Sequence, residues 1–87
     1  MYVIMVYDVE VPRLNKVLKV SRRYLNWVQN SVFEGELTMA QLTELKNRLR
    51  KILNPNVDSV IFYKLRTTTY MDREILGIEK AQFNQII

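Results

Sequence analysis

Two runs of β-branched and aromatic residues, Tyr2-Val3-Ile4-Met5-Val6-Tyr7 near one end and Ser59-Val60-Ile61-Phe62-Tyr63-Lys64-Leu65 late in the chain, constrain the fold more than any other feature. Both carry apolar residues at odd and even positions alike, so each reads as a central strand covered on both faces. Between them the apolar spacing lengthens. After Asp8 and a short turn, Pro12 suits a first helical position, and Leu14, Val17, Leu18, Ser21, Tyr24 and Leu25 recur at intervals of three and four. A second strand is expected from Trp27 to Phe33, with Gly35 marking a bend or bulge before a short strand that reaches Leu37. Thr38-Met39-Ala40-Gln41 has the form of a capping box. Met39, Leu42, Leu45, Leu49, Ile52 and Leu53 then keep one helix face apolar as far as Asn54-Pro55. The tail from Thr67 is less regular, with a short strand expected near Glu74–Ile78 and apolar residues at Phe83, Ile86 and Ile87.

The resulting order, βαββαβ plus a tail, is that of an α+β ferredoxin-like fold, an antiparallel sheet with both helices on one face. Two helices leave the other face bare, although both strand runs are apolar toward it. The economical cover is a second copy, because a symmetric homodimer buries the same patch on both subunits. The tail from about residue 67 is then expected to pack on the partner. A length of 87 residues suits a single domain, 1–87, and 48% apolar with 25% charged residues is a globular balance rather than a disordered one. No apolar run approaches the roughly 18 residues needed to cross a bilayer, so the expected setting is cytoplasmic, away from membranes.

Chemistry is narrowed by what is missing. The chain has no Cys and no His, which removes disulfides, zinc fingers, thiolate nucleophiles and imidazole bases. Carboxylates, hydroxyls, lysines or a hard cation remain. The net charge of +4 is unevenly spread: residues 13–51 hold nine Lys or Arg against three Glu, whereas residues 52–87 are balanced. A basic middle fits a phosphate backbone as partner.

Asp8, directly after the first strand, is the leading candidate for chemistry. The competing reading is a turn-forming Asp that accepts backbone N–H groups ahead of Pro12. One carboxylate is a poor magnesium site, since that ion takes one or two carboxylates together with waters and phosphate oxygens. A twofold axis near the first strand changes the count, because two Asp8 side chains can share one ion that polarises a phosphodiester.

The strand end Val6-Tyr7-Asp8, the basic helix and the segment Asn26-Trp27-Val28-Gln29-Asn30-Ser31-Val32-Phe33-Glu34-Gly35-Glu36 together resemble the small CRISPR-associated protein of spacer acquisition, the Cas2 family. The resemblance covers essentially the whole chain, including Ile75-Leu76-Gly77. A Tyr-Asp strand end is common elsewhere; Ser31-Val32-Phe33-Glu34 at this distance from it is the specific part. The resemblance implies a homodimer whose Asp8 pair binds Mg2+, or Mn2+, and acts as a metal-dependent endonuclease on RNA or DNA in antiviral defence. It also implies a second role, bridging CRISPR integrase dimers and holding the DNA to be inserted. Some relatives open the second strand with an arginine where this chain has Trp27.

Other candidates carry an ordinary reading beside the functional one. Tyr7 serves either as a neighbour supporting Asp8 or as a core tyrosine. Ser31 and Phe33, expected on one face of their strand, lie near the metal site by resemblance or simply pack; Ser31 has no base to make it a nucleophile. Arg13, Lys16, Lys19, Arg22 and Arg23 have no acid between Val11 and Val28, which favours phosphate contact over a solvated helix face. Arg66 with Thr67, Thr68 and Thr69 reads either as a phosphate-holding group or as a solvated loop. The alternatives to a nuclease are a non-catalytic nucleic-acid scaffold and an RNA-binding module that stacks bases on sheet aromatics. The latter lacks the basic-glycine-aromatic signature.

Overall fold

The computed structural model describes residues 1–81, and its elements follow the expected order: β1 (Tyr2–Asp8), α1 (Val11–Ser21), β2 (Asn26–Gln29), β3 (Val32–Glu36), α2 (Met39–Arg50) and β4 (Ser59–Leu65). The strands form one sheet in the order β2-β3-β1-β4, with every neighbouring pair antiparallel. This is the ferredoxin-like α+β arrangement.

Strand alternation divides the sheet into a helix face and an open face. Val3, Met5 and Tyr7 of β1 and Phe33 of β3 are buried on the helix face, against Val17 of α1 and Leu42, Leu45 and Leu49 of α2. Ser21 is fully buried among them, and its hydroxyl lies 3.8 Å from the Met5 sulfur, a weak acceptor. α1 starts with Pro12 in its first turn and ends at Ser21, whose carbonyl accepts the Leu25 N–H at 2.9 Å. Tyr24 and Leu25 therefore follow the helix rather than belonging to it.

α2 opens on the anticipated capping box. Thr38 Oγ1 accepts the Gln41 N–H at 3.1 Å and Gln41 Oε1 accepts the Thr38 N–H at 2.9 Å, which satisfies two donors that a helix start leaves without partners. Thr38→Ala is expected to cost about 1 kcal/mol, read as a fall of roughly 4–8 °C in the melting temperature. The helix ends at Arg50, four residues before Asn54, because the Leu49 carbonyl takes the N–H groups of both Ile52 and Leu53 in a closing turn.

Three expectations about the strands need correction. The stretch Trp27–Phe33 is not one strand but the hairpin of β2 and β3, turning at Asn30 and Ser31. Asn30 has φ of +42°, a left-handed conformation that Asn tolerates better than most residues. The bulge falls between Trp27 and Gln29 instead of at Gly35, which sits within β3 opposite Val3. A Cβ at Gly35 would lie 3.4 Å from Leu25 Cδ2, so this position answers to close packing. β4 is an edge strand rather than a central one; its two-sided apolar pattern reflects the bare sheet face.

In the tail, no strand forms at Glu74–Ile78 among the described residues. Instead Arg73 forms an ion pair with Glu34, and residues 73–76 and 78–81 line a cleft beside Trp27 and Val28 of β2. Phe83, Ile86 and Ile87 lie outside the described residues. No helix among the described residues is long and apolar enough to cross a membrane.

Candidate functional site

Register fixes where Asp8 points. It ends β1 opposite Ser59, two positions beyond Val6, which faces Val32 on one side and Ile61 on the other. Asp8 therefore shares the open face with Ile4, Val6, Ile61 and Tyr63, on the side away from the helices. The side chain is exposed. Ile61 and Tyr63 are 46% and 56% exposed, so an apolar strip runs along the open face and stops at an acid. Among the described residues no group of three or more His, Cys, Asp or Glu is placed to hold a metal ion. One chain thus contributes a single carboxylate and does not by itself make a magnesium site.

The backbone around Asp8 is held from β4. Asp58, immediately before Ser59, has a fully buried carboxylate that accepts four hydrogen bonds. Oδ2 takes Arg13 Nε at 2.5 Å and the Asn54 N–H at 2.8 Å; Oδ1 takes Arg13 Nη2 at 2.9 Å and the Glu10 N–H at 3.0 Å. Arg13 Nη2 also reaches Glu10 Oε1 at 2.8 Å. Glu10 is the N-cap residue of α1 but makes no side-chain cap, and the first turn holds no acid. Asp58 therefore brings the negative charge that this helix start favours.

The Arg13 guanidinium hydrogen bonds hold the Asp58 carboxyl far below the usual carboxylate range, outweighing the cost of burying it. Because the folded value lies below the unfolded one, the pair stabilises the fold above pH of about 3.9. Its contribution is lost as pH falls from there through the depressed folded value.

The remaining candidates separate. Tyr7 is buried on the helix face, opposite to Asp8, and its hydroxyl donates to the Asn30 carbonyl at 3.1 Å. Burial raises its phenol above the ordinary range, against the opposing pull of the Arg22 charge, so it acts as a neutral donor. Trp27 Nε1 donates to the same carbonyl at 3.0 Å. Two side chains thus pin the Asn30 turn, and Trp27 serves as a hairpin support. Phe33 is fully buried against Tyr7, with ring centroids 5.8 Å apart, so it is core and faces away from Asp8. Ser31 lies in the turn rather than on a strand face; its carbonyl accepts the Tyr7 N–H at 3.1 Å.

The basic set splits as well. Arg13 is committed to Asp58 and Glu10 and leaves the phosphate-contact group, a correction that follows from its bidentate geometry. Lys16, Lys19, Arg22 and Arg23 are exposed along the second half of α1 and the turn after it, and none makes an ion pair among the described residues. Arg66 is exposed, and so are the neighbouring Thr67 and Thr69, whose hydroxyls bond each other at 2.7 Å while Thr67 Oγ1 also accepts the Thr69 N–H. On α2, Arg48 reaches Glu44 and lies over the Tyr24 ring, while Arg50 donates to Asn47.

Asp58 and the Glu34–Arg73 pair were not singled out in the sequence. Each joins residues far apart in the chain, and neither leaves a local spacing to read. The nearest signal is Asp58 standing four residues after Asn54, at the start of a strand.

A family model described as CRISPR associated protein Cas2 matches residues 1–73. A protein of Dictyoglomus turgidum named CRISPR-associated endoribonuclease Cas2 is 58% identical over 87 residues, covering all of both chains. Its namesake from Pyrococcus furiosus is 56% identical over the same full lengths. Among solved structures, one described as a crystal structure of cas2 superposes with a TM-score of 0.84 at 50% identity, covering 92% of this chain and 90% of the other.

Proposed function

The chain belongs to the CRISPR-associated Cas2 family, and from that premise we propose that two copies meet through the open sheet face, bring their Asp8 carboxylates together around one Mg2+ or Mn2+, and cleave RNA. The observation that carries this reading is the placement of Asp8 on the open face, at the end of the apolar strip of Ile4, Val6, Ile61 and Tyr63. An apolar strip whose Ile61 and Tyr63 stand about half exposed calls for a cover, and a twofold cover gives every residue of the strip a counterpart. The relatives' name, endoribonuclease, supplies the substrate class.

The donor set fits a hard divalent ion only in duplicate. Two carboxylate groups from the two subunits, completed by waters and substrate phosphate oxygens, match what magnesium takes. When bound, such an ion supplies polarisation of a phosphodiester and a hydroxide near neutral pH, functions that a chain without His cannot obtain from imidazole. The protein's own contribution is positional. Asp8 is held at a fixed strand end, Tyr7 is turned into the core as a neutral donor, and the cations of α1 are left exposed to solvent. The experiment that tests the reading is cleavage of defined RNA and DNA by wild type and Asp8→Asn across Mg2+ concentration, developed in the Discussion.

A second reading is favoured by the cations themselves. Lys16, Lys19, Arg22 and Arg23 offer a track for a phosphate backbone that needs no metal, which suits a scaffold holding DNA between integrase dimers. Replacing all four with Gln is expected to lower the salt dependence of RNA binding by about 3 in log–log slope, measured in EDTA so that no cutting intervenes. An unchanged slope places the track elsewhere. In the scaffold reading, spacer insertion survives Asp8→Asn and fails in the four-Gln variant; in the nuclease reading the first variant abolishes cutting.

A further inference from the structure

We infer that Asp58 is a positioning residue for Asp8, acting through the backbone that its carboxylate clamps to the start of β4. The inference rests on the reading of Asp8 as a metal ligand. From Asp8 the chain passes through Val9 to Glu10, crosses the hydrogen bond from the Glu10 N–H to Asp58 Oδ1, steps to Ser59 and returns across the ladder to Asp8. Five residues thus close a ring with Asp8 on it. Arg13 braces the ring from α1 through two hydrogen bonds to the same carboxylate, and Asn54 braces it from the turn after α2.

The geometry matters because Asp8 has no support of its own. Its side chain is exposed and makes no hydrogen bond among the described residues, so its direction is set by the backbone beneath it. A strand end followed by a loop ordinarily frays. Here the loop between β1 and α1 is only two residues long, and its far end is fastened by a buried carboxylate with all four acceptor directions used. A ligand shared across a twofold axis tolerates little wander, since any displacement occurs in both subunits. Supporting residues of this kind typically alter metal affinity by about tenfold or more when removed.

The test compares full-length wild type with Asp58→Ala, Asp58→Asn, Asp8→Asn, Thr38→Ala and the charge exchange Arg13→Asp with Asp58→Arg. Three quantities are read: Mn2+ affinity by calorimetry, amide hydrogen exchange at Val9 and Glu10, and melting temperature. Asp58→Ala is expected to weaken Mn2+ binding about tenfold or more and to speed exchange at Glu10. The charge exchange restores an ion pair but puts a donor-only guanidinium where the Glu10 N–H needs an acceptor, so it is expected to recover neither, and full recovery in it overturns the clamp. Thr38→Ala, which destabilises the protein far from Asp8, is expected to leave Mn2+ affinity unchanged and so separates positioning from loss of stability. Should Asp58→Ala fail to fold, Asp58→Asn retains the shape and an acceptor oxygen and is read in its place. Wild-type Mn2+ affinity in the Asp58 variants, with Asp8→Asn impaired, overturns this inference alone. Equal Mn2+ binding by wild type and Asp8→Asn overturns the metal-ligand reading, and the positioning role falls with it.

Discussion

Asp8→Asn is expected to lower Mg2+-dependent RNA cleavage at least about a hundredfold while leaving the fold, the dimer and metal-free RNA affinity in place. The substitution is close to isosteric, and the Asp8 side chain is exposed with no hydrogen bond to lose among the described residues, so little folding energy is at stake. What disappears is charge. In the proposed dimer symmetry doubles the change, because the substitution removes one carboxylate from either side of the shared site and would leave two neutral amides where a divalent ion binds. The cations proposed to carry the electrostatic part of RNA binding lie on another element, α1 and the turn after it, which is why affinity in EDTA is expected to hold. The measurement is single-turnover cleavage of a defined RNA at saturating Mg2+, with gel-shift affinity in EDTA alongside. Cutting that persists at the wild-type rate moves the hydrolytic centre away from Asp8, and a parallel fall in metal-free affinity makes Asp8 a structural residue instead.

Local patterns conveyed most of the fold. The capping box at Thr38 and Gln41 and the strand at Tyr2–Tyr7 rest on signals confined to a few neighbouring residues, and the structure has both, the strand running one residue further to Asp8. The hairpin escapes a reading of the run as one strand because the polar stretch Gln29-Asn30-Ser31 is short between Val28 and Val32; the chain turns there on a left-handed Asn30 whose carbonyl is held by Tyr7 and Trp27. β4 was misplaced for a related reason. Apolar residues on both faces say that both faces are covered, not that both edges are paired, and alternation carries no information about edges.

The site shows the same division. An acid directly after a strand is a local feature, which is why Asp8 stands out as a candidate, and strand parity alone puts it on the face opposite to Tyr7. Arg13 was assigned to phosphate because no acid lies near it in sequence, yet its partner is Asp58, across the fold. A long-range ion pair leaves no trace in the spacing of either partner. Phe33 takes the ordinary packing reading: the segment that resembles the family also builds the core, so a residue can mark kinship through packing.

Ile61→Asp is expected to raise the dimer dissociation constant more than about a thousandfold and to abolish cleavage although Asp8 is untouched. In the single chain Ile61 is 46% exposed, on the face opposite to the core, so the folded subunit tolerates a charge there with little penalty. Across the proposed interface the cost is different. Ile61 stands beside Val6 on the open face, next in register to Tyr63 beside Ile4, near the middle of the apolar strip. Placing an unpaired carboxylate in such an interface costs several kcal/mol per ion, and the twofold relation introduces two like charges at once. Sedimentation across a range of protein concentrations reads the association, and the RNA assay on the same samples reads activity. A monomer that folds and no longer cuts ties catalysis to paired subunits. A monomer that still cuts shows that one carboxylate suffices, and an unchanged dimer shows that the copies meet through another surface.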